Sequence, residues 1–180
     1  MGVHKSERLE GIGRETEMTE VRAIYHHEVL PKFTALLGDT QIVYDIGKHP
    51  EYDYKKIIPN LITIDRDKQT YPDLIIDIEN AIPQNLICDA IICMGVTEEC
   101  ENPFQLLRGI NSMLKANGLA LFGIALQGNP AYQNDYWRFT INGARKLLAP
   151  YFASVYERLV TQQMGKINMP MYLFTIARKK

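Results

Sequence analysis

Apolar residues recur at three- and four-residue steps between Thr16 and Leu37 (Met18, Val21, Ile24, Tyr25, Val29, Phe33, Leu36, Leu37), the period of one helical face. Pro31 has no N–H for the helical ladder and is expected to kink or divide this helix, and Gly38 to end it. Beyond it the pattern changes to short apolar runs: Gln41–Ile46, Leu61–Ile64, Leu74–Ile78, Ala90–Val96 and Leu119–Leu126. Runs without in/out alternation suit strands of a parallel sheet covered on both faces. Segments of helix length separate them, which predicts βαβ crossovers. One of these, Pro103–Leu114, reads as a helix capped by Asn102 and ended by Asn117-Gly118. A loop holding Gly128, Pro130 and Asn134 then leads to a helix over Ile141–Leu148 behind Thr140, and two strands close the chain, Ser154–Val160 and Met171–Ala177. Two strands in succession make an antiparallel hairpin. The expected fold is therefore α/β, a Rossmann-like, mainly parallel seven-stranded sheet with helices on both faces and an antiparallel hairpin at one edge.

Composition narrows the function classes. The chain has 180 residues, 46% hydrophobic and 23% charged, which suits one globular domain over 16–180 behind a flexible tail at 1–15. A net charge of -1 gives no broad attraction to nucleic acid or to an anionic membrane, so neither is expected as a partner. No apolar run approaches the roughly 20 residues of a membrane span, and the polar N-terminus lacks the apolar core of a secretory signal. Cys88, Cys93 and Cys100 do not form a paired C-x-x-C zinc pattern and read as buried free thiols of a cytoplasmic protein. Met1-Gly2 with Ser6 fits the loose myristoylation pattern and is read as chance. His26 and His27 are adjacent on a helix and do not share a face, so no metal site is expected there.

In an open α/β sheet, ligands bind beyond the carboxyl ends of the strands, where strand order reverses. The first strand ends in Asp45-Ile46-Gly47, and the glycine lets the backbone turn tightly against a ligand. The second ends in Asp65, at the offset expected of an acid that accepts hydrogen bonds from ribose hydroxyls; Asp65 as a simple turn cap is the competing reading. The third carries Asp77-Ile78, and the fourth closes at Met94-Gly95.

Taken together, several segments resemble the class I S-adenosylmethionine-dependent methyltransferases over residues ~41 to 180. They are Val43-Tyr44-Asp45-Ile46-Gly47, Thr63-Ile64-Asp65, Pro72 to Ile78, Cys88 to Ile92, Glu98-Glu99 to Asn102-Pro103, Met113 to Gly118, and Asn134-Asp135-Tyr136-Trp137-Arg138-Phe139-Thr140. The resemblance implies that Asp45 and Gly47 line the methionine end of the cofactor S-adenosylmethionine, Asp65 holds the ribose, Asp77 and Ile78 approach the adenine, and Met94 and Gly95 face the cofactor. A compact chain with no added domain and near-neutral charge favours a small-molecule or sugar-like methyl acceptor over DNA or RNA. Tyr136 and Trp137 would form a wall for that acceptor and Arg138 would take an anionic group; the alternative packs Trp137 and Phe139 in the core and pairs Asp135 with Arg138.

Methyl transfer needs alignment of nucleophile, carbon and sulfur more than it needs a base. Where a base is required, His49, Glu98 and Asp135 are the titratable candidates, and no catalytic residue is assigned among them. The chain departs from the resemblance in two places. Only Gly47 stands in a loop that usually holds two or three glycines, and Glu98-Glu99 replaces a frequent Glu-His. Those departures keep a second reading open, a methyltransferase-like binding or scaffold domain without turnover. A nicotinamide oxidoreductase would show G-x-G-x-x-G after the first strand, where this chain has Gly47-Lys48-His49-Pro50. Nothing in the sequence sets the oligomeric state.

Overall fold

The computed structural model describes residues 20–38, 42–48, 54–81, 85–127 and 134–180. The expected tail and myristoylation pattern, Gln41, His49, Pro50, Gly128 and Pro130 lie outside the described residues.

The first helix, α1, is continuous from residue 20 to Ala35, but its middle is a π-helical turn, Tyr25–Val29, followed by the α-helical Leu30–Ala35. Pro31 is the physical reason. It sits in the first turn of the last piece and cannot donate to a carbonyl four residues back. The ladder widens instead, with Leu30 N donating to Tyr25 O, five residues back. The helix ends as Leu36 N turns to Phe33 O at 3.0 Å, before Gly38 is reached.

Seven strands follow: β1 (Val43–Ile46), β2 (Leu61–Asp65), β3 (Leu74–Ile75), β4 (Cys88–Met94), β5 (Leu114–Ala125), β6 (Phe152–Met164) and β7 (Ile167–Lys179). They form one sheet in the order β3-β2-β1-β4-β5-β7-β6. The first five are parallel, whereas β7 runs antiparallel to both β5 and β6. This is the mainly parallel sheet with an antiparallel hairpin expected from the sequence. The order reverses between β1 and β4, which fixes where a ligand site belongs.

Residue alternation divides the core between the two faces. Val43, Ala90, Ile92, Leu121 and Phe174 pack with Val29, Leu30 and Phe33 of α1. Tyr44, Ile46, Ile91, Cys93 and Phe122 face the other way, against two helices, α2 (Pro103–Met113) and α3 (Ile141–Leu148). Helices therefore cover both faces. All three cysteines are free and buried, as small apolar side chains should be.

Several boundaries differ from the sequence reading. The crossovers before β4 carry 310 turns (Tyr54–Lys56, Lys68–Thr70) instead of α-helices among the described residues, because these links are short and punctuated by Pro59 and Pro72. β3 stops at Ile75 because the Asp77 carboxylate bends the chain, accepting from Glu79 N at 3.1 Å and Asn80 Nδ2 at 2.9 Å. Helix α2 stops at Met113, not at Asn117-Gly118, because Leu114 already pairs with Cys88. Asn117 (φ 60°) and Gly118 lie inside a bulge of β5, where a Cβ on Gly118 would sit 3.1 Å from Asp89 O. Strands β6 and β7 extend well past the expected ends because they pair with each other as far as Met164 and Ile167.

Both expected caps are in place: Asn102 Oδ1 accepts from Gln105 N at 3.1 Å and Thr140 Oγ1 from Gly143 N at 3.0 Å. Asn102→Ala is expected to lower stability by about 1 kcal/mol, checked by urea denaturation; an unchanged midpoint would remove the capping role.

Candidate functional site

A groove of about 500 Å³, counting space open to solvent, lies at the carboxyl ends of β1, β2 and β3 beside the turn after β4. Gly47 makes its floor. Its N–H donates to Ile64 O at 2.9 Å, tying β1 to β2, and its φ of +80° is one that side-chain-bearing residues rarely adopt. A Cβ there would also run into Cγ2 of Val96, which lines the same groove. Asp65 forms one wall, its Oδ1 accepting from Asp67 N at 2.8 Å, and Asp77, Ile78 and Glu79 form another. Across from them stand Glu99 and Cys100, with Leu106 of α2 below.

The groove is acidic. Asp65, Asp77, Glu79 and Glu99 line it against one lining cation, Arg66. Arg66 Nη2 donates to Glu99 O at 3.2 Å and Nη1 lies 3.9 Å from Glu79 Oε2, so it links the walls after β2, β3 and β4. Glu79 in turn accepts from Asn102 N at the start of α2. Burial raises the Asp65 carboxyl above its usual range. Burial also pushes Glu99 up to about 7, helped by the neighbouring carboxylates of Glu98 and Asp135 and opposed by Arg66.

Asp45, Met94 and Gly95 are near the groove without lining it. Asp45 alternates onto the α1 face, where burial, with Asp65 adding to it, raises its carboxyl to about 7 against the pull of Lys48. Met94 lies over Gly123, since a Cβ on Gly123 would come within 2.7 Å of its sulfur and 2.9 Å of Tyr172 Cε1. Gly95 has a φ of +67° and donates to Gly123 O at 2.9 Å, turning the chain out of β4. Gly47, Asp65, Asp77 and Ile78 are thus the cofactor-site residues of the sequence reading that the fold brings into one groove.

The turn from Thr97 to Cys100 carries groove residues on one side and the aromatic segment on the other. Glu98 O accepts from Tyr136 N at 2.7 Å and Trp137 N at 3.1 Å, and Cys100 O accepts from Trp137 Nε1 at 2.8 Å. Trp137 stacks on Phe139 with ring centroids 6.3 Å apart, and Phe139 packs on the core. Trp137 is nevertheless 42% exposed and Tyr136 54%, so the core alternative holds for Phe139 and not for Trp137. Arg138 pairs with both carboxylate oxygens of Asp135, with Nη2 to Oδ2 at 2.7 Å. An anion reaching Arg138 would have to compete with that pair.

Glu98 is a buried tether. Oε1 accepts from Ala125 N and Oε2 from Thr97 Oγ1, both at 2.6 Å. Burial lifts its carboxyl to about 7 in spite of these bonds. The side chain is 3% exposed and does not line the groove, so it holds the β4 turn to the end of β5. His49, another base candidate, lies outside the described residues.

The sequence reading gives no cofactor- or substrate-binding role to Arg66, Glu79, Glu99 or Cys100, all of which line the groove. Arg66 directly follows the ribose-type acid, a signal that was available. Glu79 meets Asn102 across 23 residues, a contact no local pattern carries.

A seven-stranded sheet in this order, with its groove at the β1/β4 reversal, is the Rossmann-like fold of S-adenosylmethionine-dependent methyltransferases. The chain is similar over 97% of its length to the 1,6-didemethyltoxoflavin N1-methyltransferase of Burkholderia thailandensis (95% of that chain, 16% identity, TM-score 0.63). It is similar over 92% to the N-methyltransferase NodS of Bradyrhizobium japonicum (98% of that chain, 15% identity, TM-score 0.66). A third similar structure is an S-adenosylmethionine-dependent methyltransferase of Thermotoga maritima, matched over 93% of this chain and 97% of that one (13% identity, TM-score 0.62). No family model matches the sequence, and no curated protein does. Among the described residues no helix is long and apolar enough to cross a membrane, and no group of His, Cys, Asp and Glu could hold a metal ion.

Proposed function

We propose that the chain binds S-adenosylmethionine in the groove and transfers its methyl group to a small-molecule acceptor. The observation that carries this reading is Asp65 and Asp77-Ile78 lining one groove floored by Gly47, beside the β1/β4 reversal of strand order. A carboxylate at the tip of β2 is suited to accept from two ribose hydroxyls. The four acidic residues of the lining disfavour the phosphates of a dinucleotide and suit an uncharged adenosine joined to a cationic sulfonium. The Burkholderia and Bradyrhizobium proteins have been crystallised with S-adenosylhomocysteine, which supports the same ligand here.

When bound, the cofactor supplies the methyl group and the sulfur leaving group. The protein's own part is alignment: Gly47 lets the backbone approach, Asp65 fixes the ribose, and Asp77 with Ile78 bounds the adenine. Asp45, Met94 and Gly95 would flank the methionine end from the α1 side. Tyr136 and Trp137 present exposed rings beside the groove as a wall for the acceptor, held there by the carbonyls of Glu98 and Cys100. With Arg138 engaged by Asp135, that wall suits a planar or sugar-like acceptor, the latter docking through its C–H face.

Thermal unfolding with and without S-adenosylhomocysteine tests the reading. At a hundredfold excess over Kd the ligand should stabilise wild type by about 2.7 kcal/mol, a rise of a few degrees, and Asp65→Ala should lose most of that rise. No shift in folded wild-type protein would leave the scaffold reading in its place.

A further inference from the structure

Resting on the adenosine reading above, we propose that Lys48 supplies the cation that holds the carboxylate at the amino-acid end of the cofactor. Lys48 directly follows Gly47, which lines the groove and turns the chain with a left-handed φ of +80°. Lys48 Nζ donates to the carbonyl of Tyr71, in the turn that follows β2, so the side chain spans the gap between the ends of β1 and β2. Tyr71 itself is held in a left-handed conformation (φ 51°), which turns this segment ahead of Pro72. Lys48 is half-buried and close enough to Asp45 to oppose the upward push of burial on that carboxyl.

Charge gives the reason for a cation here. A ligand carboxylate entering the groove meets Asp65, Asp77, Glu79 and Glu99, and the lining cation, Arg66, is engaged by Glu99 O on the adenine side. Lys48 is bonded to a neutral carbonyl, so exchanging that bond for one to a carboxylate breaks no ion pair with Tyr71 and gains a charge-assisted bond. Gly47 N is committed to Ile64 O, and residue 50 is a proline with no N–H. Where a glycine-rich turn would surround an anion with amides, this chain carries one ammonium group on a flexible stem.

Calorimetric titration separates this role from the adenosine site itself. The probes are S-adenosylhomocysteine and 5′-methylthioadenosine, which keeps the adenosine and thioether and lacks the amino-acid end. Lys48→Met should weaken S-adenosylhomocysteine about tenfold, leave methylthioadenosine within twofold of wild type, and so remove most of the difference between the two ligands. Lys48→Arg should keep most of the wild-type affinity. Three results would overturn the proposal while leaving the adenosine site standing. They are unchanged S-adenosylhomocysteine affinity in Lys48→Met, equal losses for both ligands (a brace on the Tyr71 turn), and wild type binding both ligands equally. Wild-type protein that binds neither would take down the adenosine reading and this inference with it.

Discussion

Gly47→Ala should destabilise the protein by about 3 kcal/mol and abolish binding of S-adenosylhomocysteine. Two costs add at this position. A left-handed φ on a residue with a Cβ costs roughly 1–2 kcal/mol, and the new methyl runs into Val96 Cγ2. Valine is short and stiff about χ1, so it has no far end to swing aside, and relieving the overlap must move the backbone after β4. That backbone carries the Thr97–Cys100 turn, and with it Glu99, Cys100 and the hydrogen bonds that seat Trp137. The double variant Gly47→Ala/Val96→Ala should recover the overlap cost and retain the conformational one. Urea denaturation of both variants checks this; a single variant as stable as wild type would mean that the β1 turn is not fixed as described.

The second large effect is on pH dependence. Asp45, Glu98 and Glu99 are each raised to about 7, with burial as the largest cause in all three. A carboxyl whose folded pKa lies above its unfolded value binds its proton more tightly in the folded state. Its contribution is fully present below the unfolded value near 4 and is lost as pH rises through 7. The unliganded protein should therefore melt highest near pH 4, fall from there to about pH 7 by up to ~1.4 kcal/mol per pH unit for each titrating group, and level off above. Asp73 works on the other side. Its carboxylate accepts from Lys55 and Thr63 and is held down at about 2, so its contribution fades only in strong acid. Glu98→Gln should flatten the slope above pH 5 by one group's share. Melting temperatures that climb from pH 5 to pH 8 would contradict this account.

The sequence carried the sheet well because buried parallel strands are written as contiguous apolar runs, and β1, β2, β4 and β5 all are. The apolar runs that lead to Asp65 and Asp77-Ile78 put both segments on the groove, although β3 itself stops at Ile75. What escaped was set by distance or by direction. Arg66 bridges three loops, and Glu79 reaches a helix start 23 residues away, so neither has a local signature. Met94 ends β4 as the sequence indicates, but the face it takes is decided by one residue of alternation, which puts it on the α1 side. Among the described residues the links before β4 carry 310 turns in place of crossover α-helices, and the prolines at 59 and 72 that punctuate those links are the cause. The two sequence readings of the aromatic segment each hold in part: Trp137 is exposed, as a wall would be, whereas Asp135 pairs with Arg138 and Phe139 packs on the core.

Trp137 is the chain's single tryptophan, so the indole emission of the whole protein comes from one spot, bonded to the turn that borders the groove. That gives the molecule a built-in optical reporter. Its ring nitrogen is bonded to a carbonyl of the turn that borders the groove, and its face is half open to water. Emission colour and quenching will follow what shifts that turn, well before the core melts, and a collection of unlabelled compounds can be screened by fluorescence alone.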